Sequence, residues 1–190
     1  MSSDERRATN MSVRAAVDCI TEIMGENGAK IIFRNAGAEQ IYDNPPPYDL
    51  NPSITVTAQT RIYIEVAQLV GLKGALGIWR RVGYAAVKYG NELGHAFDSF
   101  KDLPPDEKYN KCSELLSLVI GKGKVDFDCF DCTVCSPYYS SDINRPVCLL
   151  YTGALQYIAD WSYGKNAAQV VETKCKAKGD DTCYYELTMA

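Results

Sequence analysis

The stretch Glu172-Thr-Lys-Cys175-Lys-Ala-Lys-Gly179-Asp-Asp-Thr-Cys183 sets a carboxylate and two thiols around a short turn. Gly179 lies midway between the two cysteines. A hairpin folded about it places Cys175 opposite Cys183, and opposed residues on antiparallel strands have Cβ atoms about 4.5–5.5 Å apart. That spacing suits two sulfurs sharing one metal, and it also suits a disulfide. Glu172 and Cys175 are three residues apart, so a regular strand would turn them to opposite faces. If both bind one metal, a bulge or twist near Thr173-Lys174 is required.

The rest of the chain sets this hairpin against helices. Residues 12–25 have an amphipathic helical pattern ending near Gly25, and Ala29–Arg34 reads as a short apolar strand. Asn44-Pro-Pro-Pro47 breaks regular structure as far as about Asn51-Pro52. Helices follow over about Thr57–Val70, stopped by Gly71, and Gly74–Phe100. Pro104-Pro105-Asp-Glu opens another, with proline near the first position and acids in the first turn. Val125–Cys129 alternates like a strand, and Pro146 is expected to open a helix closed by Gly164. Gln169–Lys176 and Thr182–Thr188 complete the hairpin. The expected class is α+β, with helices on a small antiparallel sheet. Residues 1–11 are read as a flexible N-terminus and 12–190 as one domain; no internal repeat is evident.

Composition narrows the functions. The chain has 190 residues, 46% hydrophobic and 23% charged, with net charge -4. These values describe a globular domain able to bury a core. No basic tract is long enough to grip a phosphate backbone, which argues against nucleic acid. The first residues lack an apolar signal core, and no run of about 18 apolar residues appears. The expected location is cytoplasmic, with peripheral attachment to a membrane complex left open.

Eight cysteines occur, at 19, 112, 129, 132, 135, 148, 175 and 183. Without an export signal, clustered cysteines favour metal over disulfides. Cys148, two residues after Pro146, would sit in a first helical turn, where the macrodipole favours a thiolate. With Glu172, Cys175 and Cys183 it completes a four-coordinate set that suits zinc. Cys129-x-x-Cys132-x-x-Cys135 forms a second group, for an iron–sulfur cluster, a separate metal or reduced thiols. The glycine-rich pattern at Gly77, Gly83, Gly90 and Gly94 suits either close helix crossing or room for a flat ligand. Trp79, Tyr84, Tyr89, His95 and Tyr151 are the expected pocket liners. Apolar residues Val13, Val17, Ile20, Ile62, Val66 and Leu69 suggest a homodimer or a docked protein partner; the alternative is that they pack inside the monomer.

Val147-Cys148 followed by an apolar helix, and then Val171-Glu172-x-x-Cys175-x-x-x-Gly179-Asp180-x-x-Cys183-x-x-Glu186, resembles the 4-vinyl reductase domain family. The strong match covers about residues 144–188, with a weaker Gly-x-x-x-Gly likeness over Gly83–Phe97. The family includes sensor domains of phenol- and xylene-responsive activators, and its fold is similar to that of TRAPP vesicle-tethering subunits. By position the resemblance implies zinc on Cys148, Glu172, Cys175 and Cys183, beside a small-molecule pocket. It implies a non-catalytic binding domain for an apolar or aromatic molecule, with a tetrapyrrole pigment or precursor as one candidate, acting as carrier, sensor or assembly factor. The alternatives are a (bacterio)chlorophyll-pathway 4-vinyl reductase or iron–sulfur redox protein, and a scaffold subunit of a larger complex. No fused activator or ATPase domain is present in the chain. No dinucleotide loop is present, and a single histidine supports no catalytic triad.

Overall fold

Thr9 and Thr55 start two long helices in the same way. Thr9 Oγ1 accepts from Ser12 N–H and Thr55 Oγ1 from Ala58 N–H, both at 3.2 Å. Each such cap contributes about 1 kcal/mol by satisfying an end donor. In the computed structural model, which describes residues 7–120, 139–140, 145–146, 150–175, 178–181 and 183–190, each threonine also ends a short strand. Strand β1 (Arg7–Thr9) leads into α1 (Asn10–Asn35), and β2 (Pro52–Thr55) into α3 (Val56–Glu92). The short α2 (Glu39–Asp43) lies between these pairs.

Sixteen positions past each threonine stands a glycine that breaks the helix: Gly25 at φ 71°, ψ 166° and Gly71 at φ 73°, ψ 162°. That conformation is open essentially only to glycine. The flanking sequences correspond as well. Gly25-x-x-Gly28-Ala29-x-x-Ile32-Phe33-Arg34-x-x-Gly37 aligns with Gly71-x-x-Gly74-Ala75-x-x-Ile78-Trp79-Arg80-x-x-Gly83. Strand, capped helix and glycine corner therefore occur twice, offset by 46 positions. This internal repeat corrects the reading that none exists. The two β-strands are themselves paired, antiparallel, with Arg7 opposite Thr55.

The corner at Gly71 folds α3 back on itself. Trp79 Nε1 donates to Tyr63 O at 3.2 Å. In a straight helix those residues would be about 24 Å apart. By length and composition α3 could cross a membrane, but Ile62, Tyr63, Val66, Ile78, Trp79 and Val82 are spent on the interior of the fold.

The remaining elements are a 3-10 turn (Asp98–Phe100), α4 (Pro105–Ile120), β3 (Tyr139–Ser140), β4 (Arg145–Pro146), α5 (Leu150–Tyr163), β5 (Ala168–Lys174) and β6 (Tyr184–Met189). The architecture is α+β. Among the described residues the strands form three antiparallel two-stranded ladders, β1–β2, β3–β4 and β5–β6. Helix α5 is the centrepiece, packing on α3, α4 and β5. Its crossing with α3 is set by two glycines. A Cβ on Gly83 would lie 1.7 Å from Leu150 O, and one on Gly153 would lie 1.8 Å from Arg80 O. The backbones touch there, so the close-crossing reading of Gly83 is correct.

Several expectations are corrected. Ala29–Arg34 is helical, not a strand. Its buried positions Ala29, Ile32, Phe33 and Ala36 fall at i, i+3, i+4 and i+7, a helical face that a six-residue window does not reveal. Residues 7–11 are not a flexible tail but form β1 and the first turn of α1. The helix expected to reach Phe100 ends at Glu92, where Gly94 and the positive φ of His95 turn the chain. Pro146 does not open a helix; it pairs with Tyr139 on β4. The strand expected over Val125–Cys129 lies outside the described residues. Val13, Val17, Ile20, Ile62 and Val66 are buried inside the single chain, the packing that the sequence left as the alternative to self-association. Of the face offered for self-association, Leu69 alone is well exposed, at 48%.

Candidate functional site

The terminal hairpin brings three ligand-type side chains together. β5 and β6 pair from Ala168 opposite Met189 to Glu172 opposite Tyr185, and Lys174 then faces Tyr184. The register slips between Glu172 and Lys174, so Thr173 is the extra residue. This is the bulge that a shared metal requires. It lets Glu172 and Cys175, three apart, reach one point. The ligand atoms of Glu172, Cys175 and Cys183 lie within 4.8 Å of one another. Both thiols are buried, and no disulfide joins them.

This group fits a metal ion. Tetrahedral bond lengths of about 2.3 Å to sulfur and about 2.0 Å to oxygen place ligand atoms roughly 3.5–3.8 Å apart. A spacing within 4.8 Å is compatible with that geometry. A half-buried carboxyl beside two buried thiols favours a cation once those groups are ionised. Burial first, then the Cys175 thiol beside it, pushes the Glu172 carboxyl up to about 7. Lys178 and the Tyr185 side chain pull the other way. A divalent cation would reverse this balance and hold all three ligands in their anionic forms.

The turn between the cysteines is tightly made. Lys178 N–H and Asp180 N–H donate to Cys175 O at 2.9 and 3.3 Å. The Asp180 carboxylate accepts from Cys175 N–H at 2.7 Å. Gly179, at φ 101°, supplies the left-handed residue that this loop needs. Cys148 and the group Cys129, Cys132 and Cys135 lie outside the described residues.

A second feature lies against the start of α5. A cavity of about 500 Å³ is lined by β1, the start of α1, the loop at Tyr48–Leu50, the second arm of α3, α4 and α5. Its wall is mostly apolar, with Val82, Val87, Phe97, Leu116 and Leu150 among the liners. Small residues on α3, namely Gly83, Ala86 and Gly90, leave the space open. Its polar lining includes Ser12 and the buried Gln59, whose Nε2 donates to Ser12 Oγ at 2.8 Å. Volume and lining match those of small-molecule sites. The Tyr48 wall is latched from outside: its hydroxyl donates to Asp18 at 2.9 Å, and its ring stands edge-on to Tyr89.

Of the five expected liners, Tyr151 lines this cavity and the others do not. Trp79 is wholly buried in the core. Tyr84 instead donates to Asp160 across the α3–α5 contact at 3.0 Å, and burial with that bond pushes its hydroxyl up to about 12. Tyr89 supports Tyr48. His95 is 74% exposed and bonds Asp98 at 3.1 Å.

The hairpin is tied to the helices by a residue that the sequence does not announce. Gln156 on α5 uses every hydrogen-bonding position of its amide. Nε2 donates to Ala168 O at 2.8 Å and Asp160 Oδ1 at 3.0 Å. Oε1 accepts from Val170 N–H at 3.0 Å and Arg80 at 3.2 Å. It thereby stands in for a neighbouring strand along β5 and ties that strand to α3. The available clue is an uncharged polar residue within the apolar run 150–159. Tyr185 could have been found by alternation: it is two positions past Cys183 and so shares its face.

No protein-family model matches the chain, and no curated protein matches it.

Proposed function

We propose that this chain is a small-molecule-binding domain whose terminal hairpin is clamped by a structural zinc ion, a member of the 4-vinyl reductase domain family with a TRAPP-like fold. The observation that supports this best is an apolar cavity lined in part by α5 together with a carboxylate–dithiol group on the hairpin that packs against that helix. Zinc suits the donor set: two thiolates and one carboxylate, with Cys148 as the fourth ligand in the resemblance. An apolar or aromatic molecule of modest size is the ligand that the lining would recognise, held by dispersion and by one hydrogen-bonding end at Ser12 and Gln59. The role is binding, as carrier, sensor or assembly factor, in the cytoplasm or against a membrane complex.

The cavity is tested with 1-anilinonaphthalene-8-sulfonate, a fluorescent apolar probe. Uptake at one site per chain is expected, and Ala86→Phe, which fills the space from α3, should abolish it. The absence of saturable uptake, or uptake unchanged by the filled cavity, refutes the binding reading. The metal is tested separately by elemental analysis of protein purified without oxygen: one zinc per chain is expected. A metal-free protein with a Cys175–Cys183 disulfide refutes the zinc assignment.

A further inference from the structure

We infer that Tyr185 and Asp180 are the positioning residues of the metal centre, Tyr185 orienting the Glu172 carboxylate and Asp180 fixing the backbone of Cys175. The inference rests on the metal reading above and concerns residues outside the ligand set.

Tyr185 stands directly opposite Glu172 on the paired strands, on the inward face. It is 3% exposed, so its side chain is buried on the face that it shares with Glu172. A carboxylate has two oxygens, and one suffices for a tetrahedral ion. The other, once buried, needs a donor of its own. Ligating carboxylates are ordinarily held by such outer hydrogen bonds. A phenylalanine would fill the same space, so packing alone does not require the hydroxyl.

Cys175 has the complementary problem. It follows Lys174, the last residue of β5, so the ladder no longer dictates its direction. Asp180 replaces that constraint. Its carboxylate accepts from Cys175 N–H while its own N–H, with that of Lys178, donates to Cys175 O. Both sides of the cysteine's backbone are tied, so its sulfur is aimed before any ion arrives. Asp180 is exposed, so it contributes little packing.

The test uses the full chain, made metal-free and titrated with Co(II) alone in competition with a chelator. The wild type should bind one ion with thiolate charge-transfer bands and tetrahedral d–d bands. Tyr185→Phe and Asp180→Asn should each weaken binding about 10–100-fold and alter the d–d bands. Their metal-free forms should melt with the wild type. Tyr184→Phe, at the neighbouring ladder position beside Lys174, should change nothing. If the wild type takes up no Co(II), the metal reading itself fails and this inference with it. If the wild type binds but both variants bind as tightly with unchanged spectra, the positioning roles are refuted and the metal reading stands. Should Tyr185→Phe not fold, Asp180→Asn decides alone.

Discussion

Gln156 shows how much can hang on one side chain. Its four hydrogen bonds reach α3, α5 and two backbone groups of β5. Gln156→Leu keeps the volume but leaves Ala168 O and Val170 N–H without that partner beside a packed helix. Each such group costs about 1–3 kcal/mol when buried unbonded. Chemical denaturation should show a loss of about 2–4 kcal/mol; a loss under 1 kcal/mol would mean that water or the strand partner replaces the amide. The residue scale is also where the sequence is most legible. Glu172, Cys175 and Cys183 are visible because ligand chemistry restricts residue type, and the three-residue spacing of the first two forces the bulge that the ladder contains. Gln156 is not visible this way, because an amide in a helix has no chemistry until its neighbours in space are known.

The two broken helices carry the next level. Glycine has opposite meanings along α3, and the difference lies in the surroundings rather than the residue. Gly77 is exposed, with nothing within 4 Å of an added Cβ. Gly77→Ala should therefore stabilise the protein by about 1 kcal/mol through helix propensity alone. Gly83→Ala would drive a methyl into Leu150 O. No rotamer relieves a backbone clash, so α3 and α5 must separate, at a cost of about 3 kcal/mol or more. Gly71→Ala should cost about 1–3 kcal/mol, because its backbone conformation excludes a side chain. Thermal unfolding of the three variants orders them, and Gly77→Ala falling below the wild type would contradict the contrast. The sequence marks all three glycines but not their roles: helix boundaries at Gly25 and Gly71 are local signals, whereas the partner of Gly83 lies 67 positions away. A separation of 46 positions hides the repeat. Its two copies share glycines and core positions but almost none of their surface, so a pass along the chain sees two different helices.

At the scale of the molecule, the cavity and the metal group are joined through α5. Leu150, Tyr151 and Ala154 line the cavity, and two residues further along the helix Gln156 holds the strand that carries Glu172. An ion that closes the hairpin therefore restrains β5, and through it the helix that forms the cavity wall. A ligand that binds the folded state alone adds stability according to its concentration over its dissociation constant, about 2.7 kcal/mol at a hundredfold excess. For a chain of this length, each kcal/mol moves the melting temperature by about 2–4 °C. Removing the metal with a chelator should thus lower the melting temperature by roughly 5–10 °C. It should also weaken binding of 1-anilinonaphthalene-8-sulfonate in the cavity, since a looser β5 leaves α5 less fixed. Because coupling between sites is reciprocal, the probe must in turn tighten metal binding by the same factor. In Gln156→Leu the link is cut, so metal removal should leave probe affinity where it was. Equal probe affinity with and without metal in the wild type would show that the two sites share a helix without sharing free energy.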